Sequence, residues 1–252
     1  MSSLLVRNIH TLATMDAQRR ELHDAAIYAR DNTIVAVGTL ADMPATTADL
    51  VIDARAHVVL PGLVNTHHHL FQTLTRALAQ DADLFTWLRT LYPIWSRLTA
   101  EGAYVSTKLG MAEMMLSGCT TTSDHLYLFP NDVRLDDTIR AGQDMGMRFH
   151  AARGSMSVGT SAGGLPPDSL IEPEAAILAD TRRVIEAFHN PRPRAMTRIV
   201  VAPCSPFSVS RELMRDTAVM ARQKRVGLHT HLAENAEDVA YSLAHFGVRP
   251  GD

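Results

Sequence analysis

The hydrophobic pattern changes character once along the chain. Over residues 1–60 the apolar runs are short. "LLVRNI" (4–9), "AAIYARD" (25–31), "TIVAVG" (33–38) and "HVVL" (57–60) are apolar or β-branched and separated by turn formers such as "RDN". Such runs predict strands, and nothing here has the length and period of a helix. Residues 1–60 are therefore expected to form a small antiparallel β-unit.

From Pro61 onward short apolar runs alternate with longer helical patterns. The predicted strands are "GLVNT" (62–66), "CTTTSD" (119–124), "MRFHAAR" (147–153), "TRIVVAP" (197–203) and "VGLHTHL" (226–232). Helical periodicity covers 101–118, 131–146, 172–188, 210–224 and 235–247. Strand–helix alternation predicts a parallel sheet covered by helices over residues 61–252. Five such units are present in 252 − 60 = 192 residues, whereas a complete eight-unit barrel takes about 250. The pattern alone leaves two architectures open, an open α/β sheet and a barrel cut short.

Composition narrows the function classes. A net charge of −3 gives no basic excess for nucleic acid or an anionic membrane. No apolar run is long enough to span a bilayer, and the start lacks the charged and apolar regions of a signal peptide. Two cysteines, Cys119 and Cys204, make no disulfide framework. A cytoplasmic location is expected.

Twelve histidines are many for this length, and several cluster. In "NTHHHLFQ" (65–72) the strand period puts His67 and His69 on one face and His68 on the other. Two positions along a strand are about 6.6 Å apart, a span from which two imidazoles can converge on one ion. In "HTHLAE" (229–234) a second apolar run ends in histidines, with Glu234 three residues beyond His231. His231 lies nearer the strand end and is the better ligand candidate. Three neutral histidines plus water form a plausible catalytic zinc set, in which water ionises near pH 7. Glu234 is placed to pass protons; alternatively it is a carboxylate favoured at a helix start. No H-x-E with P-C-x-x-C and no phosphate-binding G-x-x-x-x-G-K-[ST] is present, and no G-x-S-x-G follows a predicted strand.

"VVLPGLVNTHHHL" followed by "LHTHLAEN" resembles the amidohydrolase superfamily in its aminohydrolase and chlorohydrolase branch. "DLFTWLRTLYPIW" (83–95), "TTTSDHLYLFP" (120–130), "RGSMSVG" (153–159), "GGLPPD" (163–168) and "EDVAYSLAHFGVRPG" (237–251) are similar to bacterial 8-oxoguanine deaminases and hydroxyatrazine ethylaminohydrolases. The resemblance implies a (β/α)8 TIM-type barrel, here with its first five strands, beside a small N-terminal β-sandwich part. It implies one divalent metal, zinc or alternatively iron(II), held by His67, His69 and His231. Glu234 becomes the proton shuttle and Gln72 the amide that hydrogen-bonds a purine. Arg153, His125, Trp87 and Cys204 are further candidates for substrate contact, each with a packing or pairing role as its alternative.

Two departures from the pattern matter. Guanine deaminases carry an arginine where "APCSPFSVS" (202–210) has Cys204, which tilts the expectation towards an oxidised purine or an s-triazine. The family also uses a histidine after a sixth strand and an aspartate after an eighth, so the chain reads as an N-terminal fragment. Lys108 and Lys224, both in predicted helices, are the only lysines, so no bridging lysine of a two-metal site is expected. The expected activity is hydrolytic deamination of an aminated purine-like heterocycle, foremost 8-oxoguanine to urate and ammonia. The alternatives are s-triazine amino- or chlorohydrolysis, or a non-catalytic fragment. The expected partner is a small heterocycle, not nucleic acid or membrane, and exposed sheet edges favour self-association into homo-oligomers.

Overall fold

The computed structural model describes residues 2–252, which divide into two compact units, one running up to Leu63 and the other Val64–Asp252. The first unit holds β1 (Ser3–Ala13), β2 (Glu21–Arg30), β3 (Thr33–Thr39), β4 (Leu50–Asp53) and β5 (Val58–Val59). The sheet order is β3-β2-β1-β4, with β5 also on β1. Hairpin connections make β1–β2 and β2–β3 antiparallel, but β4 and β5 run parallel to β1. The sheet is thus mixed, not antiparallel throughout. The longer connection after β3 brings the chain back along β1, a return that a tight hairpin cannot make. Leu5, Ile9 and Leu12 of β1 and Ala25, Ala26 and Tyr28 of β2 are buried.

The second unit is built on β6 (Leu63–Asn65), β7 (Cys119–Leu126), β8 (Arg148–Ser155), β9 (Thr197–Pro203) and β10 (Gly227–Leu228), in the order β10-β9-β8-β7-β6. The β7–β8, β8–β9 and β9–β10 pairs are parallel. Helices α1 (Leu84–Trp95) and α2 (Ala100–Leu116) lie between β6 and β7. Next come α3 (Leu135–Met145), α4 (Glu174–Phe188), α5 (Arg211–Lys224) and, after β10, α6 (Ala236–Phe246). Five strands in chain order, joined by helical crossovers, are the first part of a (β/α)8 barrel. Its curl is visible in one comparison. In a flat sheet the four spacings between β6 and β10 would separate them by about 19 Å. Instead, side chains just past their C-terminal ends meet at 2.9 Å.

Local sequence explains the helix ends. The Thr99 and Ser210 hydroxyls accept from the backbone N–H of Gly102 and Leu213, capping α2 and α5. Gly146 ends α3 at φ +67°, a conformation glycine adopts without Cβ strain. In α2 the buried Ala103, Ser106, Thr107, Gly110 and Met111 form one face. A Cβ on Gly110 would come within 2.6 Å of Leu70, so the missing side chain lets α2 press against the turn that follows His69. Helix α1 is absent from the sequence expectation, because Pro93 and the crowd of aromatic residues obscure its period. It is capped by Asp83, which accepts from Thr86 N–H at 2.8 Å, and Pro93 falls in its last turn.

Candidate active site

The three histidines proposed as metal ligands come together although none lies within a strand. Strand β6 ends at Asn65 and β10 at Leu228. Backbone pairing nevertheless continues past both ends. His125 N–H donates to the His68 carbonyl at 2.7 Å, His229 N–H to Val201 at 2.9 Å and His231 N–H to Cys204 at 2.8 Å. The alternation of faces therefore persists, and His67 and His69 point to the same side.

Their Nε2 atoms form a triangle with the Nε2 of His231. The sides are 3.2 Å (His67–His69), 3.1 Å (His69–His231) and 3.3 Å (His231–His67). Two of the rings have fixed tautomers. His69 Nδ1–H donates to the His125 carbonyl at 2.7 Å, and His231 Nδ1–H donates to the Cys204 carbonyl at 2.8 Å. Their Nε2 lone pairs thus face each other, an arrangement that repels unless something positive sits between them. Tetrahedral zinc with nitrogens at about 2.1 Å would place those nitrogens about 3.4 Å apart. The donor set fits a divalent ion of that kind. Desolvation favours the neutral form, which ligation requires, in His67 and His69. It pulls the pKa of His67 down to about 4 and that of His69 well below its ordinary value, and the neighbouring His231 adds to both shifts.

The triangle opens on a cavity of about 390 Å³ whose lining includes Gln72, Trp87, Tyr127, Cys204, Phe207 and Glu234. This is within the size range of small-molecule sites. Glu234 lies outside α6, just before its cap. The capping residue is Asn235, and the acidic residues of the first helical turn are Glu237 and Asp238. Ala233, with φ +54°, turns the chain between His231 and Glu234. Gln72 Nε2 donates to the Tyr127 hydroxyl at 3.1 Å. Cys204 lines the cavity as a buried thiol, its pKa pushed up to about 12 by burial.

Two expected substrate contacts lie elsewhere. His125 is fully buried behind the triangle; its ring stacks on His231 at 4.8 Å and its Nε2–H donates to the Ala202 carbonyl. Arg153 is buried on the far side of β8, where its guanidinium pairs with Glu172 at 2.7 Å and Asp180 at 2.8 Å and covers the Phe129 ring. The strand period sends it away from the cavity, and its alternative role of carboxylate pairing is the observed one. Lys108 bonds Tyr104 in α2, and Lys224 pairs with Glu186; neither lines the cavity. Tyr127 and His229, by contrast, reach the site without having been singled out. Tyr127 lies two residues past His125 on the same face, which was its only sequence signal. Among the described residues no helix is long and apolar enough to cross a membrane.

Residues 58–251 match the family model described as "Amidohydrolase family". The chain belongs to the amidohydrolase family. This amidohydrolase chain is 44% identical to the 8-oxoguanine deaminase of Pseudomonas aeruginosa, over the whole chain and 56% of that protein. It is 36% identical to the hydroxydechloroatrazine ethylaminohydrolase of Pseudomonas sp. strain ADP, over the whole chain and 55% of the relative. An atrazine chlorohydrolase from Arthrobacter aurescens TC1, crystallised with zinc, superposes with a TM-score of 0.91 at 34% identity, over 98% of this chain and 56% of the other. The chain thus spans about half the length of the relatives it matches.

Proposed function

We propose that this amidohydrolase chain carries the metal-binding and proton-transfer groups of a hydrolytic deaminase. The proposed substrate is an aminated purine-like heterocycle, 8-oxoguanine, converted with water to urate and ammonia. The observation that carries the reading is the convergence of three Nε2 atoms at 3.1–3.3 Å on a cavity that also holds Glu234 and Gln72. His67, His69 and His231 would hold one divalent ion, zinc or iron(II). When bound, that ion supplies the Lewis acidity that makes water nucleophilic near neutral pH.

The remaining work falls to the chain's own side chains. Trp87 and Phe207 wall a planar ring, and the Gln72 amide, held by Tyr127, meets the polar edge of the heterocycle. Glu234 takes up a proton on its carboxylate and delivers it to the exocyclic nitrogen as the C–N bond breaks, so that ammonia leaves neutral. The free, buried Cys119 and Cys204 suit a reducing cytoplasm.

Ammonia release from 8-oxoguanine, guanine, isoxanthopterin and hydroxyatrazine tests the reading. Release from none of them by the metal-loaded protein overturns it. A second reading, s-triazine hydrolysis, draws on the 36% identity to the ethylaminohydrolase. Ethylamine or chloride release in place of ammonia would select it.

A further inference from the structure

His229 packs against the histidine triangle from the β10 edge. It is half-buried, with its ring centroid 4.9 Å from that of His67 and 5.2 Å from that of His125. Its Nε2 lies 2.9 Å from His67 Nδ1. His69 and His231 are oriented by carbonyl oxygens of neighbouring strands, each accepting an Nδ1–H. The partner of His67 Nδ1 is instead the imidazole of His229, which can donate or accept.

That difference has a chemical consequence. A carbonyl oxygen accepts only, so it fixes the tautomer of the ring that donates to it. His67 presents an Nε2 lone pair to the other two rings only when its proton is on Nδ1 and His229 accepts it. With the proton on His229 instead, His67 carries its hydrogen on Nε2, pointing into the triangle and closing it to a cation.

We propose that His229 is a positioning residue for the metal site. It accepts the Nδ1–H of His67 and thereby fixes the tautomer and ring orientation that let His67 ligate. The H-T-H spacing divides two jobs along one extended segment. His231 supplies a ligand, and His229 orients a ligand from the opposite edge of the sheet. Such outer partners of a ligating histidine typically govern 10- to 100-fold in metal affinity.

The inference rests on the proposed metal site, and its test separates the two. Zinc affinity of the chain is measured by competition with a chromophoric chelator, for wild type, His229→Leu and His229→Gln. Cobalt(II) absorption spectra are recorded on each, and circular dichroism checks folding. Leucine removes the acceptor and should weaken zinc binding roughly 10- to 100-fold. The glutamine Oε1 stands near the position of the imidazole Nε2. Glutamine should therefore restore the affinity to within about threefold, with the wild-type cobalt band positions.

Wild-type affinity in a folded His229→Leu protein overturns the positioning role and leaves the metal site standing. Weak binding by both variants with altered cobalt bands overturns it differently, by making His229 itself a ligand. A wild-type chain that takes up no zinc overturns the metal site and this inference together.

Discussion

Asp124 offers a quantitative test of how the site is held in place. It is fully buried in β7, one residue before His125. Its Oδ1 accepts the Leu70 N–H at 2.7 Å, which pins the turn after His69, and its Oδ2 has no partner. Burial pushes its pKa up to about 7, from an ordinary value of 3.8. Between these values the folded chain holds one more proton than the unfolded chain. The stability this lends is complete below the unfolded value, declines by about 1.4 kcal/mol per pH unit, and is lost once the pH has risen through about 7. The gap of roughly three units makes the whole effect about 4 kcal/mol. Asp124→Asn keeps an acceptor for Leu70 and cannot ionise. Urea unfolding of both proteins in the presence of a chelator, from pH 4.5 to pH 7.5, gives the difference in stability at each pH. Histidines add an opposing trend: His67, held down to about 4, costs stability as the pH falls below its unfolded value. Taking the difference cancels that contribution. The wild type should lose about 3 kcal/mol relative to the asparagine variant across this range. A difference that stays flat with pH would refute the reasoning, because it would mean that the buried carboxyl is ionised and paired throughout.

Further outcomes follow from other contacts. Glu234→Gln should lower amine release by about 10²- to 10⁴-fold while leaving zinc content unchanged; normal turnover would remove Glu234 from the proton-transfer role. Arg153→Met leaves Glu172 without its cation, while Asp180 keeps Arg183, and should cost about 1–3 kcal/mol in a denaturant melt, whereas an unchanged midpoint would show these ion pairs to be dispensable. Gly154→Ala would set a Cβ 2.3 Å from the Leu126 carbonyl oxygen and 2.6 Å from Tyr127 Cα. It should therefore force β7 from β8 and cost about 1–3 kcal/mol, and a melt equal to wild type would contradict that packing.

Much of the fold was legible because the elements carry their own signals. The helices flanking β7 to β10 are long runs of helical composition, with caps or terminal glycines at α2, α3, α5 and α6, and each observed helix from α2 onward starts within four residues of its expected position. Helix α1 was hidden because Pro93 argues against a helix and its aromatic residues do not favour one. Strand β4 was hidden because its four residues are all exposed and show no buried face. At the site, the gathering of His67, His69, His231 and Glu234 around one cavity was legible from their spacing at strand ends. Arg153 was misleading because a strand-end arginine reads the same from either face, and only the register of β8 sends it outward. His229 and Tyr127 stayed hidden because their partners, His67 and Gln72, are distant in sequence and are brought close only by tertiary folding.

The meeting of the two sheet edges also bears on the order of events during folding. His67 and His231 are 164 positions apart in the chain, with three whole strands between theirs in the sheet. No local hairpin or single strand–helix unit can bring them together. The ligand triangle is therefore among the last features to form, after every intervening strand has found its register. A cation captured there acts as a clasp across the curled sheet, stabilising only chains in which all five strands are already in place. Zinc uptake during refolding would then serve as a clock for completed assembly, lagging behind the rise of helical signal.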